Sequence, residues 1–404
     1  MTTRFAKFEF RQGQAGSAEG EKTLGRAEVA LYDGPFVTDD VIDDIFCKRW
    51  NLPPPKLIIS VTGSAQDWDK ATAPADAASS ANPGDGARAS KKDDPKAALA
   101  KANGVREQAA ITRFIKNCVY ASAVDSRCCW IIGGGSNAGV MRLLGDARRL
   151  LGGWGDDVRL GSALVPVIGV GVASKMKYYD TALKSMPRSD VQQDIIALNY
   201  QPGVFESCKE DLSRIETSAE GKAEKVTLYV PDPSHSHLLF LGSESGKWGD
   251  EVKQRIEAEE YFSAKFKAPV VYIVLGGGPI TVKLVQDCIQ KEAFTVVVNG
   301  SGRAADVIAE YAKNRCIYDQ NHTGKEQGGS PLFWELHGNE INGKPGEEDK
   351  DENKPENRHY RLQECTAKYI NIVNSKYLAI FDPETTSYDD MCTKIRGVTY
   401  ASYP

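Results

Sequence analysis

Three glycine-rich turns constrain this chain more than any other feature: Gly133-Gly134-Gly135-Ser136-Asn137-Ala138-Gly139, Gly276-Gly277-Gly278-Pro279 and Gly300-Ser301-Gly302-Arg303. Each closes an apolar run and opens a helix-like stretch. The runs before them, Cys129–Ile132, Val270–Leu275 and Phe294–Val298, show no polar alternation. Strands apolar on both sides and separated by helices indicate a mainly parallel sheet covered on both faces. Leu57–Val61, closed by Thr62-Gly63-Ser64, reads the same way, as do Val165–Val170, Leu238–Leu241 and Tyr377–Phe381. The fold class is therefore α/β, a doubly wound, Rossmann-like sheet. In such sheets ligands bind outside the carboxyl ends of the strands, where these turns fall. Backbone N–H groups at helix N-termini attract anions, so the turns together point to one crevice for a nucleotide or another phosphate compound.

Residues 1–50 read as an N-terminal extension that becomes amphipathic near Val41–Trp50. Residues 51–315 read as the main domain. The Ala/Ser/Asp/Pro/Gly/Lys-rich stretch at about 71–96 interrupts it as a disordered insertion. Helices are expected near Arg106–Ala121, Asn137–Leu151, Asp250–Phe266, Thr281–Lys291 and Ala304–Lys313, with Pro279 suited to a first helical position. Residues 316–360 form a second polar insertion with an acidic run at Gly346–Asn357. Residues 361–404 close the chain as helix, strand and short α-rich extension.

Composition excludes several classes. The chain has 404 residues, 41% of them hydrophobic, enough for a sizeable core. No run of about 18 apolar residues is present to span a membrane. A net charge of -5 argues against nucleic acid as the main partner. The nine cysteines are scattered and form no C-x-x-C, which reads as reduced cytosolic thiols. G-x-S-x-G and G-x-x-x-x-G-K-[ST] are both absent. Gly133-x-Gly135-x-x-Ala138 matches the dinucleotide fingerprint only formally, since the carboxylates about 20 residues on, Asp156 and Asp157, lie in a turn. His235-Ser236-His237 lacks a suitably spaced third ligand and reads as structural, so no metal site is expected.

Two arginines carry the chemistry. Arg303 stands where the third glycine turn enters its helix. Arg255 follows Trp248 by seven residues, two helical turns, which places both on one face. A ring that stacks on a base and a guanidinium that takes phosphate oxygens suit a nucleotide. Arg255 is equally spaced for a surface salt bridge with Glu251 or Glu259.

The chain resembles the N-terminal melastatin homology region of TRPM cation channels, a branch of the SLOG superfamily. The resemblance rests on Leu57–Ser64, Trp130–Met141, His235–His237 with Gly246–Gly249, Val270–Pro279 and Val296–Ala309, in the family's order over roughly 45–400. It implies a SLOG fold at 51–315 that senses a nucleotide-derived ligand, closest in logic to the ADP-ribose-gated members. The positions implied for ADP-ribose or a related nucleotide are Trp248, Arg255 and Arg303. The loops add Thr62, Gly63, Gly134, Gly135, Ala138, Gly139, Met141, Gly277, Gly278, Pro279, Thr281 and Gly302. Tryptophan at 248 replaces the usual tyrosine, and Ala138 a common hydroxyl residue. The resemblance further implies a cytoplasmic domain, excised from a homotetrameric channel, with calcium acting elsewhere in the channel if at all. A free-standing SLOG nucleotide binder is the alternative. The LOG-type phosphoribohydrolases of the same superfamily carry a catalytic glutamate where this chain has Leu284, which favours binding over catalysis.

Overall fold

The computed structural model describes residues 3–12, 22–34, 38–63, 105–106, 108–152, 158–184, 186, 194–199, 213–217, 223–242, 250–321 and 376–401. The chain divides into two compact units. One comprises Met1–Val61, Ala65–Val271 and Ser387–Pro404, the other Thr62–Ser64 and Tyr272–Thr386. The described strands are β1 (Thr3–Gln12), β2 (Lys22–Tyr32), β3 (Leu57–Gly63), β4 (Cys129–Gly133), β5 (Arg159–Leu160), β6 (Ala163–Leu164), β7 (Val167–Val172), β8 (Asp194–Asn199), β9 (Ser213–Thr217), β10 (Ala223–Thr227), β11 (His237–Leu241), β12 (Val270–Leu275), β13 (Phe294–Val298) and β14 (Leu378–Phe381). The helices used below are α1 (Asp39–Asp43), α2 (Ala121–Asp125), α3 (Gly139–Leu150), α4 (Asp250–Phe266), α5 (Pro279–Gln290), α6 (Arg303–Asn321) and α7 (Tyr388–Ala401).

In the first unit the strand order is β3-β4-β7-β11-β2-β1-β8. Neighbours run parallel from β3 through β4, β7 and β11 to β2. The β1–β2 pair is antiparallel, and β8 joins β1 in parallel. Both faces of this sheet are buried. Leu239 and Leu241 of β11 pack with Trp130, Ile168, Phe46 and Phe262 on one face. Leu238 and Phe240 of the same strand pack with Phe8, Val29 and Met176 on the other. That explains why the central strands read as unbroken apolar runs. Each fully buried large side chain contributes about 1.5–3 kcal/mol.

The N-terminal 50 residues are not an appendage to this unit. Ala6, Phe8 and Phe10 of β1 are at most 1% exposed and belong to the core. The alternation Ala6-Lys7-Phe8-Glu9-Phe10 places the apolar residues on one side of the strand, where they are buried. The polar residues between them have partners: Glu9 takes Arg11 and Arg26, which hold its carboxyl below its ordinary value.

The second unit holds β12, β13 and β14, in that order, with β13 and β14 parallel. Val274, Val282, Val285, Val297, Ala305 and Ile308 form its core between strands, α5 and α6. Asp382, just beyond β14, accepts from Asn299 Nδ2 at 3.1 Å and Lys313 Nζ at 2.6 Å. The expected helices and strands of the main domain recur within a few residues. Leu284 is 5% exposed and faces the interior. The polar insertion expected at 71–96, most of the one expected at 316–360 and the helix expected near 360–375 lie outside the described residues; residues 316–321, expected to open the second insertion, instead continue α6, so that helix runs past its expected end at Lys313.

Candidate functional site

The first glycine turn is shaped by packing. Gly135 has φ +67°, and a Cβ there would stand 2.8 Å from the Cα of Gly169 in β7. Only two facing glycines allow backbones this close. The turn's polar groups are used internally. Gly134 N–H donates to Met141 Sδ at 3.0 Å, and Asn137 N–H donates to Val230 O at 2.7 Å. Gly135 O accepts from Asp232 N–H at 3.0 Å. Ala138 is the N-cap of α3 and contributes no side-chain cap bond, while Gly139 begins the helix at φ +52°. Met141 thus sits beneath the turn, 7% exposed.

A buried polar cluster holds the far end of α3. Arg148 is fully buried and donates through Nη1 to Ser234 O. Arg149 Nη1 reaches Ser234 Oγ at 2.8 Å, and Ser234 N–H donates to Asp232 Oδ1 at 2.7 Å. Two cations in the last turn also complement the helix dipole. His235, fully buried, lies 3.6 Å from Asp232 Oδ1. His237 is buried beside Trp50, with ring centroids 4.8 Å apart. Burial lowers its pKa to about 3, so it is neutral at ordinary pH. The pair of histidines is part of the scaffold, and among the described residues no cluster of three metal-ligating side chains occurs.

Arg255 of α4 is not on the surface, as a simple salt bridge requires. It is 4% exposed, with Nε 3.5 Å from Glu259 Oε1 and Nη1 3.5 Å from Val61 O. Glu259 is fully buried and accepts from Ser60 Oγ of β3 at 2.8 Å. Among the described residues Nε and Nη2 of Arg255 have no hydrogen-bond partner. A small cavity adjoins this guanidinium, walled by Phe46, Ile132, Val170, Leu239 and Ala258. Buried donors are normally satisfied, so unspent donors at a cavity mark a position for a bound acceptor. Trp248, the expected stacking partner, lies outside the described residues.

In the second unit two glycine turns are joined through Ser301. Its Oγ donates to Val298 O at 2.6 Å and accepts from Gly276 N–H at 2.9 Å. Ala305 N–H donates to Gly276 O at 3.0 Å. Gly277 (φ +95°) crosses over Thr281, whose Oγ1 would lie 2.4 Å from an added Cβ. Thr281 Oγ1 accepts from Gly278 N–H at 3.2 Å, and Pro279 takes the first helical position of α5.

The third turn already holds an anion. Asp306 accepts the N–H of Gly300 at 2.8 Å, and the nearby N–H groups of Ser301 and Gly302 also favour its charged form. Burial raises the Asp306 carboxyl above its ordinary value against these groups. Sequence reasoning missed this residue. The available signal was an acid in the first turn of a helix entered through glycines, a capping position. Arg303 is exposed and has φ +55°, a left-handed conformation unusual for a side-chain-bearing residue. Its Nη2 would stand 3.8 Å from a Cβ on Gly278, so the guanidinium lies over the second turn. Thr62, 9% exposed, and Gly63 end β3.

Residues 167–327 match the family model described as SLOG in TRPM. That span takes in Arg255, Arg303 and the second and third glycine turns, while the first turn precedes it. Over a longer stretch the chain is 28% identical to Transient receptor potential cation channel subfamily M member-like 2 of Nematostella vectensis, across 293 residues. It is 25% identical to subfamily M member 2 of Rattus norvegicus across 283 residues, and 24% identical to member 1 of Mus musculus across 292. These alignments cover 69%, 67% and 69% of this chain but only 14%, 14% and 13% of the relatives' lengths. Among the described residues no helix is long and apolar enough to cross a membrane. The α/β architecture and the order of the motifs agree with these matches: the chain is similar to the SLOG region of TRPM channels.

Proposed function

We propose that this chain is a cytoplasmic ligand-sensing region of a TRPM-like cation channel, binding ADP-ribose or a related nucleotide to regulate gating. The observation that carries the reading is the placement of Arg303. Its guanidinium is held over Gly278, where two glycine turns and the N-terminus of α5 meet in one unit. A cation and a helix N-terminus together favour a phosphate. The glycine turns serve this reading as a rigid frame, since many of their N–H groups are already committed. Arg255 is assigned separately, from its own unspent donors beside an apolar cavity. Binding without turnover follows from Leu284, which faces the core where the related hydrolases carry a carboxylate. On this reading the working assembly is the channel's homotetramer.

The test is calorimetric titration of the full chain with ADP-ribose, beside Arg303→Ala. A charged hydrogen bond to phosphate contributes about 1.5–3 kcal/mol, so the substitution weakens binding about tenfold or more. Unchanged affinity in Arg303→Ala sinks the site assignment. Release of base or ribose phosphate, followed by chromatography, sinks the non-catalytic reading.

A further inference from the structure

Cys118 and Cys392 are 274 residues apart in sequence, yet the Cys392 sulfur lies against the backbone of Cys118 and the Cys118 sulfur against the first turn of α7. Cys392 Sγ, in α7, donates to Asn117 O at 3.0 Å and lies 4.0 Å from Cys118 O. Cys118 Sγ lies 3.7 Å from Tyr388 O, in the first turn of α7. The two thiols are near enough that each shifts the other's titration. Cys128 and Cys129 are chain neighbours in and beside β4.

We propose that Cys118 and Cys392 are a redox modification site, converted by a hydroperoxide into an intramolecular disulfide that ties α7 to the helical segment ending in α2.

The two sulfurs have different roles. Cys118 is fully buried and Cys392 is 5% exposed, so Cys392 is the one an oxidant meets first. Arg396 stands one turn on, with Nε 3.2 Å from Cys392 O, and brings positive charge to the same turn. The neighbouring Cys118, reinforced by Ser122 and Arg396, brings the Cys392 thiol down to about 7, whereas Cys118 is raised. A thiolate is the reactive species, and an adjacent cation favours it. The Cys392 thiolate attacks one oxygen of the hydroperoxide, breaking the O–O bond and leaving a sulfenic acid and an alcohol or water. Cys118 then attacks the sulfenic sulfur, displacing the hydroxyl as water as its own proton leaves. The two thiols together supply two electrons, and the peroxide takes both.

The full chain is treated with hydrogen peroxide, alkylated, digested without reduction and mapped by mass spectrometry. The expected product is one cross-linked peptide pair containing Cys118 and Cys392, abolished by dithiothreitol. The oxidised protein melts at a higher temperature than the reduced one, because the bond constrains the unfolded chain. In Cys392→Ser the cross-link disappears and Cys118 alkylates as a free thiol after denaturation. In Cys118→Ala a sulfenic acid accumulates on Cys392 and is trapped by dimedone. If both cysteines of peroxide-treated wild type are recovered alkylated, or cross-linked to other cysteines instead, the proposal is overturned. Peptide mapping of wild type decides this even if either variant fails to fold.

Discussion

Arg255 and Arg303 are both candidate anion ligands, but the fold holds them at different costs. Arg255 lies under a sheet, 4% exposed, with the buried Glu259 carboxylate 3.5 Å away. Its cost is desolvation, which only a nearby opposite charge offsets. Arg303 is exposed and solvated, and its cost lies in a backbone at φ +55°. The first arginine is part of the interior that supports its unit, and the second is an attachment to a frame that stands without it. A loss of ligand binding therefore means different things at the two positions.

The largest expected effect follows directly. Arg255→Ala removes the cation 3.5 Å from the buried Glu259 carboxylate and costs about 3–5 kcal/mol of stability. Replacing both together, Arg255→Met with Glu259→Leu, recovers most of that loss. Arg303→Ala changes stability by no more than about 0.5 kcal/mol, as for an exposed side chain. Urea unfolding of the three variants checks this. Equal losses at the two arginines would break the contrast. Arg255 alone is consequently a poor probe of ligand contact, and Arg303 is the cleaner one.

The glycine turns repeat the contrast. Gly135→Ala adds a Cβ against the backbone of Gly169 at an already left-handed φ, and overpacking with strain costs about 2–4 kcal/mol. Gly300→Ala meets nothing within 4 Å at φ +79° and costs only the backbone term, about 1–2 kcal/mol. Thermal melts of the two variants rank them. A larger loss at Gly300 would mean that the third turn, and not the first, is the packed one.

The two units also differ in the pH window where they weaken. His237, in the first unit, is shifted by burial from 6.5 to about 3. For a base lowered by folding, stability is complete above 6.5 and falls as pH drops from 6.5 towards 3. The slope is about 1.4 kcal/mol per pH unit for one proton. Asp382, in the second unit, is lowered from 3.8, chiefly by its hydrogen bond from Lys313. Its contribution is present above 3.8 and is lost only as pH falls further, through the lowered value. Hydrogen exchange between pH 7 and 3 is expected to show β11 weakening before β14. His237→Gln removes the early limb, and an unaltered pH profile in that variant would sink the assignment.

How much of this was legible in the sequence depended on whether one local signal sufficed. The central strands were, because Ile131-Ile132 or Val271–Leu275 can be apolar throughout only if both faces are covered. β1 was not, because Lys7 and Glu9 interrupt its phenylalanines and, apart from Arg11 on the same strand, their partners Glu28 and Arg26 sit on β2. The turns carrying the candidate site were found from glycine spacing. What occupies their N–H groups was only partly signalled: Met141 and Asp306 lie in the helices that follow their own turns, but Val230 comes from a distant segment. Arg255 was placed on its helix face by spacing, but spacing cannot tell an exposed Glu259 from one buried against Ser60.

A second substitution at Arg303, also small in its effect on stability, is the sharpest test of the contrast, because it has opposite signs on two measurements. Arg303→Gly removes the Cβ that makes φ +55° unfavourable. It thereby stabilises the fold by about 0.5–1 kcal/mol, the strain relief exceeding glycine's entropic cost. The same change removes the guanidinium over Gly278 and weakens ADP-ribose binding about tenfold. A strained residue whose removal stabilises the protein and impairs binding is held there for the ligand. If Arg303→Gly destabilises the chain and leaves binding intact, Arg303 is a structural element of its turn, and Arg255 becomes the arginine to pursue despite its cost.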